Sequence, residues 1–126
     1  NGLDLFNPGD GSFTHFTDNG RKRHSIFDIR EMHDGRLWVA TEFGGVAIIN
    51  YYMLGFTDGG MLTAPVEYIT KGYGDSYISG SSVRCMVADS YGNVWLGLYG
   101  EGVDLLTFSQ PQFNQTGYKP YDTAPD

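Results

Sequence analysis

The chain has a single cysteine in 126 residues, so no intrachain disulfide can form, and cysteine usage says nothing about compartment. That cysteine, Cys85, sits in the apolar run Val83-Arg84-Cys85-Met86-Val87, which predicts a buried thiol. Basic residues are scarce: 8 Lys and Arg stand against 15 Asp and Glu, giving a net charge of -7. Phosphate binding needs clustered cations, so this balance argues against nucleic acid. The one basic cluster, Arg21-Lys22-Arg23, reads as a solvated loop. No segment approaches the roughly 20 apolar residues needed to cross a bilayer, and no membrane contact is expected here. There is no signal-peptide pattern, and the opening residue, Asn1, suggests a cut from a longer protein. No ten-residue stretch carries a helical period.

Glycine and aromatics are abundant instead, at 18 residues and 15%. Many tight turns joining aromatic-rich strands are an all-β signature. Self-similarity then organises the chain. Gly35-Arg36-Leu37-Trp38-Val39 recurs as Gly92-Asn93-Val94-Trp95-Leu96. Gly45-Val46-Ala47-Ile48-Ile49 recurs as Gly102-Val103-Asp104-Leu105-Leu106 at the same offset of 57, without a gap. A partial third copy, Gly2-Leu3-Asp4-Leu5-Phe6, lies 43 residues before Gly45. The 14-residue difference falls mostly after Ile49, where residues 51–65 replace the short turn 7–11. A period near 43 is that of a blade-type repeat.

Each unit reads as four short strands: 26–32 and 83–89; 37–41 and 94–98; 3–6, 46–50 and 103–106; 12–16 and 66–69. Successive apolar residues such as Leu37-Trp38-Val39-Ala40 imply strands covered on both faces, as stacked blades are. The expected fold is therefore all-β: β-propeller blades of four antiparallel strands, about two and a half in this chain. The units are a partial blade at 1–20, a full blade at 25–70 and a partial blade at 82–106. Residues 107–126 match poorly, with room for a last outer strand near Phe113 or Tyr118.

Trp38-Val39-Ala40-Thr41 with Gly44-Gly45-Val46, and Asp89-Ser90-Tyr91-Gly92-Asn93-Val94-Trp95-Leu96-Gly97, resemble the two-component regulator propeller repeat. So does Gly2-Leu3-Asp4-Leu5-Phe6-Asn7-Pro8 with Gly11-Ser12-Phe13-Thr14-His15-Phe16. The repeats depart from the pattern where Met32 and Ala88 interrupt an acidic pair and Leu98 stands opposite Thr41. The resemblance implies an extracytoplasmic, periplasmic sensor propeller, part of a membrane-anchored hybrid two-component protein, often detecting oligosaccharides. A structural or protein-interaction propeller is the alternative, and a propeller lyase or glycosidase comes third.

Trp38 and Trp95 hold the same repeat position and are expected in blade-to-blade packing. The turns Glu42-Phe43-Gly44 and Tyr99-Gly100-Glu101 each pair an aromatic with a carboxylate. That combination suits stacking on a sugar ring and accepting its hydroxyl hydrogen bonds, so Glu42, Phe43, Tyr99 and Glu101 are the candidate ligand-binding residues. Tyr73, Asp75 and Tyr77 on the preceding connection are weaker candidates, and a solvated acidic loop is the plain alternative. His15, His24 and His33 fall on a strand, a loop and a turn, which disfavours a metal site. Ser25 beside His24 makes no triad, and the Asp-box pattern of sialidases fails because His33 and Ser90 occupy its aspartate position. No catalytic residue and no cofactor is assigned. Asn114-Gln115-Thr116 matches a glycosylation sequon, a triplet frequent by chance. Half-blades at both ends lead to the expectation that copies associate, or that blades of a parent protein close the ring.

Overall fold

The computed structural model describes residues 2–18, 24–72, 77–108 and, by backbone, 122–123. The Arg21-Lys22-Arg23 cluster, Tyr73, Asp75, Phe113, Tyr118 and the sequon lie outside the described residues. The described chain forms short antiparallel strands, with one 3₁₀ turn at Tyr51–Met53 and no α-helix.

The strands group by repeat. β1 (Asp4–Asn7) and β2 (Ser12–His15) form a hairpin. β3 (Ile26–Glu31), β4 (Leu37–Thr41), β5 (Val46–Ile49) and β8 (Val66–Ile69) form a four-stranded sheet in that order. Between β5 and β8, the inserted residues add a small hairpin of β6 (Gly55–Phe56) and β7 (Leu62–Thr63). The second full sheet runs β9 (Val83–Ala88), β10 (Val94–Leu98), β11 (Gly102–Thr107) and β12 (Asp122–Thr123). Thus β12 takes the outer edge of β11, although the sequence motifs end near that third strand.

Local chemistry explains the hairpins. Gly35 and Gly92 close the β3–β4 and β9–β10 turns with φ of 78° and 84°, a region that glycine enters without Cβ strain. Asp34 accepts from the Arg36 N–H at 2.9 Å, and Asp89 accepts from the N–H groups of Tyr91 and Asn93 at 2.9 and 3.0 Å. These side chains stand in for turn backbone acceptors.

The core lies between the two full sheets. Trp38, Ala40, Val46, Ile48 and Ile69 meet Val83, Met86, Val94, Leu96 and Leu106 there. Phe108 closes one side, edge-on to Trp38 with centroids 5.9 Å apart. The inner strands β3 and β9 are tied at mid-strand and at the turns that follow them. Asp28 Oδ2 accepts from the Met86 N–H at 2.9 Å, and His33 Nε2 donates to the Asp89 carbonyl at 3.4 Å.

Two expectations fail for one reason. Cys85 is exposed, not buried, with its thiol over Gly97. Trp95 is 43% exposed, whereas its counterpart Trp38 is 1% exposed. Both lie in the last sheet, which has no further sheet against its second face among the described residues. An apolar run signals what a strand buries only where a neighbour covers both faces.

Candidate functional site

Both predicted turns are hydrogen-bonded to the connection between the stacked sheets, at Ser81 and Ser82. In the β4–β5 turn, Thr41 Oγ1 donates to the Gly45 carbonyl and accepts from the Gly44 N–H, both at 2.9 Å. Gly45 adopts φ 71°, and a Cβ there would overlap the Ile69 carbonyl oxygen, so backbones approach too closely for any side chain. Its N–H donates to the Ser81 carbonyl at 2.9 Å, while the Glu42 N–H donates to Ser25 at 2.9 Å. This bracing leaves Phe43 projecting, 63% exposed, with His24 edge-on at 6.2 Å.

The β10–β11 turn sits across the blade connection. The Tyr99 N–H donates to the Ser82 carbonyl at 3.0 Å, and Tyr99 is 68% exposed. Glu101 is exposed, its stem against Gly80, where a Cβ would come within 2.8 Å of Glu101 Cγ. The connection is fixed from below. Buried Asp104 on β11 accepts from the N–H and the Oγ of Ser79, each at 2.7 Å. Glu42 and Phe43 on one side and Tyr99 and Glu101 on the other are therefore linked through Ser81 and Ser82. Tyr77 is exposed on the same connection.

Two further residues escaped the sequence reading. The β3–β4 register passes from Ile26↔Thr41 to Asp28↔Ala40, making Phe27 a bulge residue. The β9–β10 register passes from Val83↔Leu98 to Cys85↔Gly97, making Arg84 the equivalent bulge. A bulge re-aims its side chain away from strand alternation. Here it brings the Arg84 guanidinium carbon over two rings, 4.4 Å from the Phe27 centroid and 4.7 Å from that of Tyr99. The available signal was an arginine inside an apolar strand at the repeat position of Phe27.

A second concavity lies elsewhere. Clefts of about 220 and 240 Å³ run between the β1–β2 hairpin and the outward face of β4 and β5. Leu3, Phe16, Val39, Ala47, Ile49 and Leu37 line them. Strand β1 is the counterpart of β5 and β11, yet among the described residues it pairs with β2 alone.

Four-stranded antiparallel sheets stacked on their flat faces, with inner strands side by side, are blades of a β-propeller. Residues 77–100 match the family model described as two component regulator propeller. Over that segment the chain is similar to a two component regulator propeller repeat. Among solved structures, it is similar to one described as the extracellular domain of a hybrid two component system from B. thetaiotaomicron. Identity is 27% and the TM-score 0.59, over 82% of this chain and 12% of that one. No curated protein matches. Neither the family nor the similar structure is described by a catalytic activity. No helix among the described residues is long and apolar enough to cross a membrane.

Proposed function

We propose that these blades belong to the extracytoplasmic, ligand-sensing propeller of a two-component signalling protein, and that the ligand is a carbohydrate. The observation carrying this reading is the convergence of the two aromatic–carboxylate turns on one braced connection. Phe43 and Tyr99 offer ring surface for sugar faces, and Glu42 and Glu101 accept hydroxyl hydrogen bonds. The turns are held by backbone bonds, so their side chains are free to bind without carrying the fold. The likeness to an extracellular signalling domain supplies the context. Calorimetric titration with an oligosaccharide panel tests it. Phe43→Ala and Tyr99→Ala should each weaken binding about 30-fold, the scale of a contact hot spot. Stability should change by no more than about 0.5 kcal/mol. Unchanged affinity in both variants refutes the assignment.

A second reading, a scaffold that holds partner blades, is favoured by the unfilled apolar clefts beside β1 and by the open face carrying Trp95 and Val103. Under it, copies of the chain or blades of a parent protein cover these surfaces.

A further inference from the structure

Arg84 has a setting that the sensing reading does not use. The chain is strongly acidic, and its other described arginines pair with carboxylates, Arg30 with Asp28 and Arg36 with Asp34 and Glu67. Among the described residues, no carboxylate pairs with Arg84 and no hydrogen bond engages its guanidinium. It is exposed, yet it lies over the rings of Phe27 and Tyr99.

An arginine held by aromatic rings loses little further freedom when it binds, because its ordering cost is already met. Its N–H fork matches a planar carboxylate through two parallel, charge-assisted bonds. The bulge at position 84 is what aims the side chain at Tyr99, one of the proposed sugar-stacking residues. One ring thus touches both the cation and the surface on which a sugar would stack.

We propose that Arg84, clamped by Phe27 and Tyr99, is the acid-recognition point of the site, and that the ligand is an oligosaccharide bearing uronic-acid carboxylates. This rests on the sensing reading above and narrows its ligand class. Tyr99 stacks on the sugar, Arg84 takes its carboxylate, and Glu42 and Glu101 accept from hydroxyl groups. A neutral sugar of the same backbone leaves the guanidinium without its partner and binds less well.

The test titrates the full chain with oligosaccharides of galacturonate, of mannuronate and of alternating glucuronate, each beside its neutral counterpart. The expected result is binding of at least one acidic member, weakened by salt. In Arg84→Gln it should fall roughly 10- to 100-fold, the size of a lost charged hydrogen-bond pair. Arg84→Lys keeps the charge without the fork and should fall between. The melting temperatures of both variants should stay near that of the parent chain, which separates recognition from folding. Preference for neutral sugars, with losses in Phe43→Ala and Tyr99→Ala but none in Arg84→Gln, overturns the role of Arg84 and leaves the sensing reading standing. Absence of binding by every member overturns both.

Discussion

The two full sheets share a motif and differ in what surrounds them. In the first, β4 is buried at Trp38, Val39 and Ala40 alike, because the second sheet lies on one side and the β1–β2 hairpin on the other. In the second, β10 alternates: Val94, Leu96 and Leu98 are buried, while Trp95 faces outward. The same Gly-x-x-Trp hairpin thus yields a core tryptophan once and a surface tryptophan once. Burial is a property of the neighbour, and a repeat position inherits its shape but not its environment.

The sharpest way to break this comparison is to truncate both tryptophans. Trp38→Ala should cost about 3–5 kcal/mol, as large core truncations do. Trp95→Ala should cost about 1 kcal/mol, chiefly from the 3.1 Å bond that its Nε1 donates to Asp89. Chemical denaturation midpoints read the difference. Equal costs would mean that a further chain covers the open face in solution, and light scattering on the same samples would show the association.

Glycines in the equivalent turns give a smaller contrast. Gly45 and Gly100 both have positive φ, 71° and 78°. A Cβ at Gly45 meets the Ile69 carbonyl, whereas nothing lies within 4 Å of one at Gly100. Gly45→Ala should therefore cost roughly 3 kcal/mol, combining backbone strain with overlap, and Gly100→Ala about 1–2 kcal/mol from strain alone. Thermal melting of the two variants measures this, and equal shifts would deny the close approach between β5 and β8.

The smallest effect concerns Asp89, whose repeat counterpart is Met32. Partial desolvation works to raise the Asp89 carboxyl, but the bonds from Trp95 Nε1 and the N–H groups of Asn93 and Tyr91 prevail and hold it below the usual carboxylate range. A carboxyl depressed on folding stabilises the fold fully above its unfolded pKa of about 3.9, and that contribution disappears as pH falls through the folded value. Asp89→Ala should lower the melting temperature at pH 7, and the gap to the parent chain should narrow as pH falls below the usual carboxylate range. A gap that persists in acid would assign the loss to packing. Met32→Ala should show no such narrowing, since methionine does not titrate.

Much of the fold was legible in the chain because its signals are local. Glycines at 35, 92, 45 and 102, spaced by a constant offset, mark turns whose positive φ depends only on the backbone at that residue. The candidate turns were legible for the same reason: Glu42-Phe43 and Tyr99-Gly100-Glu101 stand between strands that the repeat had already located. The clamp on Arg84 was not, because it joins bulges 57 residues apart on different sheets, and a bulge leaves a strand's sequence looking continuous.

The sequence by itself determined the period, the order of strands and the glycine-bearing turns, since hydrogen-bonded hairpins are set by residues a few positions apart. Only the tertiary structure decided which face of each sheet is covered. It left Cys85 and Trp95 open while closing over Trp38, and it brought β12 to the edge of β11 and Phe27 to Arg84. These outcomes depend on contacts between segments far apart along the chain, and no residue's own conformational preference encodes what will be packed against it.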